Sequence, residues 1–258
     1  MSVVRLEIRD AVGHIVLDRP PANAYDKAFM DEVDAAMEEA RRDDGVKAIL
    51  LRSANEKFFS AGADVSVFAK SGLDEQNAFV VCANEAMAKF ESTPKVVVAA
   101  INGHCLGGGL EIALCCDFRI AGDGPFKIGL TEVALGLLPG TGGTQRLPRL
   151  IGRQKALDLM LRGAAISPQD ALAAGIVDEV VPQAELLDRA IERARAYAGD
   201  AAFAKGQIKL ATVQGLARPL GEGLKVEREA LFRVFNSEDA KEGVTAFLEK
   251  RKPNYKGK

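Results

Sequence analysis

Two continuous apolar runs, VKAILLRS (46–53) and KVVVAAIN (95–102), set the strongest limit on what this chain can fold into. Both are rich in β-branched residues and neither alternates with polar ones, the pattern of strands covered on both faces. Such strands belong to sheets with helices packed on either side. VVRLEIR, by contrast, alternates Val4, Leu6 and Ile8 with Arg5, Glu7 and Arg9, which predicts a half-buried strand. HIVLDRP follows as its expected hairpin partner, stopped by Pro20 and Pro21. Residues 26–42 place Phe29, Val33, Met37 and Ala40 on one helical face. FRIA (118–121) and GIVDEVV (175–181) are further strand candidates, and Ser167, Pro168 and Gly175 punctuate a short helix. From Ala184 onward four helical stretches, 184–198, 201–214, 219–235 and 238–251, have no partner strand. The expected architecture is an α/β core followed by an α-helical C-terminal subdomain.

Composition removes several function classes. A length of 258 residues suits one domain with a small appendage and needs no disulfide staple. Basic and acidic residues number 34 and 36, a net charge of −2 that argues against nucleic acid as a partner. The longest apolar stretch, near Val96–Ile101, falls far short of the roughly 18 residues of a membrane span. MSVVRLEIRD has no apolar core of an export signal, so a cytoplasmic protein is expected. Cys82, Cys105, Cys115 and Cys116 lack the spacing of zinc ligands and are expected as buried, reduced, structural thiols. His104 precedes a glycine run, but a lone histidine is more often structural and is read so.

Three glycine-rich patches carry the chemistry: SAGAD (60–64), NGHCLGGGLE (102–111) and LGLLPGTGGTQR (135–146). No phosphate-binding loop, dinucleotide fingerprint or serine-hydrolase elbow is present. Glycines at such places let backbone approach a ligand closely or adopt positive φ. KVVVAAIN leads through GHCLGGG into GLEIALCC, which reads as the start of a helix whose first N–H groups are unsatisfied. Donors of that kind can stabilise a developing oxyanion. Glu111 falls in the first turn of this helix. The third patch opens after Glu132, whose close apolar neighbours favour a raised pKa. Two carboxylates, two N–H-presenting loops and no metal ligand set suit a carbonyl that becomes an enolate while protons move nearby.

The chain resembles the enoyl-CoA hydratase/isomerase, or crotonase, superfamily over nearly its whole length. The resemblance rests on RPPANA (19–24), FSAGADV (59–65), INGHCLGGGLEIALCCD (101–117), TEVALGLLPGTGGTQRLPRLIG (131–152) and FLEKRKPNY (247–255), in family order and spacing. It implies a crotonase-like spiral of ββα units over residues 1–195 and a helical trimerisation subdomain over 196–258. It also implies a homohexamer built as a dimer of trimers. Glu111 and Glu132 stand at the positions of the two glutamates of the resembling hydratases, whereas isomerases generally retain only the second. By the same resemblance Ala63 and Gly108 supply the oxyanion hole. Ala24, Lys57, Ala61, Ala63, Asp64, Val65, Ser66, Gly108, Gly140, Phe247 and Lys250 contact the substrate, the last two from a neighbouring subunit. Departures from the pattern are Leu130 and Thr131 in place of Gln-Pro, Ser66 in place of a lysine, and PPANAYD in place of ALNAL.

What the resemblance implies is hydration of a trans-2-enoyl-CoA to a 3-hydroxyacyl-CoA, with no cofactor beyond the coenzyme A of the substrate and no nucleic-acid or membrane partner. Glu111 takes a proton from water as its oxygen attacks C3, and Glu132 supplies the proton at C2. Residues 65–87 are expected to wall the acyl pocket. The basic tail residues Lys250, Arg251, Lys252, Lys256 and Lys258 read as a solvated end on charge alone, and Lys57 and Lys250 as phosphate-side lysines on resemblance. A Δ3,Δ2-enoyl-CoA isomerase and a hydratase for branched or aromatic enoyl-CoA remain alternatives. Outside catalysis, a scaffold or RNA-binding protein on the same fold is the rival, opposed by the net charge and the retained glutamates.

Overall fold

The computed structural model describes residues 2–257, so Lys258 of the basic tail lies outside the described residues. The chain opens with β1 (Val4–Arg9), β2 (Val12–Leu17), β3 (Ala24–Tyr25) and α1 (Lys27–Arg42). β4 (Ala48–Ser53), β5 (Phe58–Ser60), β6 (Gly62–Ala63), α2 (Val65–Phe68) and α3 (Leu73–Ser92) follow. Next come β7 (Val96–Ile101), β8 (His104–Leu106), α4 (Gly108–Leu114), β9 (Phe118–Gly122) and β10 (Ile128–Gly129). A 3-10 turn (Glu132–Leu135) leads to α5 (Gly143–Ile151), α6 (Arg153–Leu161), α7 (Pro168–Ala174) and β11 (Glu179–Val181). Four helices close the chain: α8 (Leu186–Ala198), α9 (Ala202–Leu216), α10 (Leu220–Phe235) and α11 (Glu238–Leu248).

The main sheet has six strands in the order β1-β2-β4-β7-β9-β11, antiparallel between β1 and β2 and parallel elsewhere. Its two faces explain the unbroken apolar runs. Ile49, Leu51, Val97 and Ala99 enter one large core with the buried faces of α1 and α3. Leu50, Val98, Ala100, Val12 and Ile120 point the other way and are covered by Leu186, Ala190 and Ala194 of α8. The expected division at 195/196 falls within this helix. A parallel three-stranded sheet, β10-β8-β5, and the short pair β3-β6 form separate ladders and carry the first two glycine patches, while the third leads from the 3-10 turn into α5.

Tertiary context changed some local expectations. β11 is three residues long rather than seven, because Gly175 ends α7 in the left-handed region and Ile176 and Val177 are buried in the loop that follows. α3 was not anticipated as a helix: it buries Phe79, Ala83, Ala86, Met87 and Phe90, but Leu73 and Val81 on its outer face blur the apolar stripe. Cys105, Cys115 and Cys116 are buried free thiols, whereas Cys82 is half-buried, its Sγ 3.2 Å from Oδ1 of Asp31 on α1. α9 is pinned to the core through Lys209, which pairs with Asp117 at 2.8 Å and donates to the carbonyls of Phe90 and Lys95. Among the described residues no helix is long and apolar enough to cross a membrane.

Candidate active site

The three glycine patches converge. In the β3-β6 ladder Tyr25 is opposite Ala63, and the next N–H, of Asp64, donates to the Tyr25 carbonyl at 2.8 Å. Gly62 sits at φ +90°, and a Cβ there would lie 2.8 Å from the Gly108 nitrogen and 2.9 Å from the Leu106 carbonyl. The SAGAD and GHCLGGG loops therefore touch through backbone, which sets Ala63 beside Gly108. Gly108 is the first residue of α4, so its N–H has no acceptor inside the helix. Gly108 must be glycine: a Cβ would lie 1.7 Å from the Tyr25 hydroxyl.

Both glutamates line the cavity formed at this junction, about 280 Å³ in volume. Ala61, Ala63, Gly107, Gly108, Thr131, Gly140 and Thr141 complete one wall, and Tyr25, Val65, Phe79, Val80, Leu135, Leu137 and Leu138 supply the apolar one. The stretch expected to wall an acyl pocket thus contributes Val65, Phe79 and Val80. Glu111 is 2 % exposed, yet well supplied with donors. Its Oε1 accepts from the N–H groups of Thr141 (2.9 Å) and Gly143 (2.7 Å), and its Oε2 from the Thr141 hydroxyl. Burial pushes its pKa above the ordinary carboxylate value; the Thr141 and Gly143 donors and the charge of Arg146 pull it back. Arg146 also fixes the donor loop. It clamps Glu91 of α3 with two nitrogens, at 2.9 and 2.6 Å, and donates to the Thr141 carbonyl at 3.1 Å.

Glu132 is the opposite case. Both of its carboxylate oxygens are buried and neither has a hydrogen-bond partner among the described residues. Desolvation raises its pKa to about 7, its own backbone N–H offsets part of this, and the Glu111 charge adds to the rise. It lies in the 3-10 turn rather than on an open loop, held against Gly107. One carboxylate is therefore saturated with donors and the other bare, on the same cavity.

The remaining expected site residues separate. Ala61, Ala63, Val65, Gly108 and Gly140 line the cavity with the glutamates. Ala24 pairs with Gly62 behind it. Asp64 caps α2, accepting from the N–H and hydroxyl of the exposed Ser66 at 3.0 and 2.7 Å. Lys57 lines a different hollow, with Phe58, His104, Phe126 and Gln183. Phe247 and Lys250, at the end of α11 and just beyond it, are not among the lining residues. His104 is structural, its Nδ1 accepting from the Lys127 N–H at 3.2 Å beside the Phe58 ring. Sequence reasoning missed Tyr25, Thr141 and Gly143. The only signal for the last two was their place in the PGTGG patch, which marks them as backbone close to a ligand. Among the described residues no three His, Cys, Asp or Glu side chains gather as a metal site would require.

The profile of the enoyl-CoA hydratase/isomerase family matches residues 7–258. The chain belongs to this family. A short-chain-enoyl-CoA hydratase from Clostridium acetobutylicum is 39% identical over 253 residues, 98% of this chain and 97% of the relative. A solved enoyl-CoA hydratase structure from Geobacillus kaustophilus superposes with a TM-score of 0.97 at 44% identity, covering 100% of this chain and 98% of that one. An enoyl-CoA isomerase/hydratase from Mycosarcoma maydis is 36% identical, covering 96% of this chain and 93% of the relative. The fold is thus the crotonase fold, and the protein is an enzyme of the hydratase/isomerase class. Identities this close for both reaction names leave the choice between them to the site.

The two environments make a titration test. Carbon-detected NMR of glutamate-labelled protein should place the Glu132 midpoint near 7. Glu111→Gln should lower it, because the neighbouring negative charge that disfavours ionisation is gone. A Glu132 midpoint in the ordinary carboxylate range near 4 would contradict the desolvated site.

Proposed function

We propose that this enzyme hydrates a trans-2-enoyl-CoA to the 3-hydroxyacyl-CoA. The observation that carries the reading is the pair of carboxylates on one cavity, Glu111 rich in donors and Glu132 without any. The donors favour the ionised form of Glu111, as a base requires, and the bare, desolvated Glu132 is favoured protonated, as an acid requires. The N–H groups of Ala63 and Gly108 polarise the thioester carbonyl and draw electron density from C3. Water oxygen bonds to C3 while one water proton passes to Glu111. The C2–C3 π pair moves through an enolate held by the two N–H groups and takes the Glu132 proton at C2. Exchange with solvent then returns a proton to Glu132 and removes one from Glu111. The scheme calls on no metal or redox cofactor; coenzyme A enters as part of the substrate. Relatives named for short-chain and isomerase/hydratase activity support the acyl-CoA class.

Glu111→Gln and Glu132→Gln should each lower hydration by on the order of 10²–10⁴, the scale of positioned acid–base catalysis. Circular dichroism and acyl-CoA binding should stay near wild type. Normal turnover in either variant would end the two-glutamate mechanism. A Glu111→Gln enzyme that still moved a double bond between C3 and C2 would favour the isomerase.

We also propose that the site is completed by a second copy of the chain, in trimers paired as a hexamer. Phe232 and Phe235 of α10 and Phe247 and Leu248 of α11 are 65, 60, 82 and 73 % exposed, large apolar side chains on the two last helices that a partner surface would cover. In that assembly Phe247 and Lys250 reach a neighbour's coenzyme A, with Lys57 on the phosphate side as a point charge. Sedimentation should show the wild type as a trimer or hexamer and Phe232→Asp/Phe235→Asp as a smaller species. A monomeric wild type at micromolar concentration would overturn the proposed assembly.

A further inference from the structure

Tyr25 brings a hydroxyl to the apolar wall of the cavity, and its place is tightly fixed. It is 1 % exposed, with its ring between Phe29 and Phe79 at centroid distances of 6.3 and 5.8 Å. Its hydroxyl lies against the Gly108 α-carbon, where a side chain of any other residue would collide with it. The polar neighbour of that hydroxyl is Oγ1 of Thr141, 3.4 Å away and 116 positions along the chain.

Proton counting fixes the direction of this contact. A threonine hydroxyl has one proton and two lone pairs. With Glu111 ionised, Thr141 spends its proton on Oε2, so toward Tyr25 it can only accept. The phenol is then the donor, and burial, which disfavours phenolate, keeps it one. A donor bond into Thr141 polarises its hydroxyl and strengthens its own bond to the carboxylate.

We propose that Tyr25 is a positioning residue for Glu111: a relay of donors runs from the Tyr25 hydroxyl through the Thr141 hydroxyl to Oε2 and holds the carboxylate ionised and oriented in the cavity. The role given to Glu111 rests on the hydratase reading, but the relay itself exists in the resting protein and can be tested without turnover. The other charged or titratable groups facing Glu111 are Glu132 from the 3-10 turn, Arg146 of α5 with its partner Glu91 of α3, and Cys115 just past α4. Each must stay in place when the relay is cut.

Removing a donor to a carboxylate disfavours the charged form, so its midpoint must rise. Carbon-detected titration of Glu111 in a Glu132→Gln background, where the second carboxyl no longer titrates, reads this directly. Thr141→Val should raise the Glu111 midpoint by about 1 pH unit or more, the scale of a hydrogen bond to a charged group. Tyr25→Phe, which removes a single oxygen, should raise it by a few tenths of a pH unit, roughly the cooperative share of that bond. Thr141→Ser keeps the hydroxyl and should leave the midpoint close to that of the background. The double variant Tyr25→Phe/Thr141→Val should match Thr141→Val alone, since the relay passes through Thr141. An unmoved Glu111 midpoint in Tyr25→Phe, or shifts that add in the double variant, would overturn the relay. Absence of enoyl-CoA hydration by the wild-type enzyme would instead overturn the hydratase reading and leave the relay to these titrations.

Discussion

A carboxylate taken out of water is the constraint around which this site is built. Desolvating an ion costs several kcal/mol, and a buried glutamate persists as an anion only where donors replace the lost water. Glu111 finds them in a loop that arrives from some thirty residues further along the chain: the Thr141 hydroxyl and the N–H groups of Thr141 and Gly143. That requirement fixes the PGTGG turn, and the turn is fixed in its own right by the Arg146–Glu91 clamp and the bond from Arg146 to the Thr141 carbonyl. α3, α4 and α5 are thereby tied to one point. The same point brings Glu132 close, because its 3-10 turn directly precedes the donor loop.

The contrast between the two carboxylates then follows from donor supply. The Thr141 N–H, the Thr141 hydroxyl and the Gly143 N–H are directed at Glu111, and Glu132 is left with two buried oxygens and no hydrogen-bond partner among the described residues. A bare buried carboxyl is cheapest when neutral, and the negative neighbour reinforces that preference. The fold thus gives two residues of one type opposite electrostatic environments, which is what the proposed split into proton acceptor and proton donor rests on. The two glycine loops beside the cavity obey a steric rule rather than an electrostatic one. At Gly62 and Gly108 a methyl group would strike backbone or the Tyr25 hydroxyl, so only glycine lets the two N–H-bearing segments come together.

The sheet was legible because burial on both faces writes itself into consecutive residues. Leu50 and Val98 face α8 while Ile49 and Val97 face the larger core, and no polar residue interrupts the runs 48–51 and 96–101. The amphipathic α1 was legible for the same reason on a helical period. α3 was not, since Leu73 and Val81 stay exposed and its stripe loses contrast. At the site, Glu111 and Glu132 could be read from their setting beside glycine-rich segments, and family resemblance gave Ala63, Gly108 and Gly140 their places. Thr141 and Tyr25 could not be read: their significance is a contact between positions 116 apart, and the departure of PPANAYD from ALNAL at Tyr25 marks a change without saying what it touches. Lys57 illustrates the reverse limit. Its motif is clear, but in a single chain it lines a hollow shared with His104 and Gln183 rather than the cavity of the glutamates.

The central claim is that the two carboxylates add water across a double bond rather than move the bond along the chain. Incubating the enzyme with crotonyl-CoA in water enriched in oxygen-18 and deuterium tests it most directly. Mass spectrometry and NMR of the product should find a 3-hydroxyacyl-CoA with one heavy oxygen at C3 and one deuterium at C2. A product with a shifted double bond and deuterium but no heavy oxygen would contradict hydration and place proton transfer alone at this site.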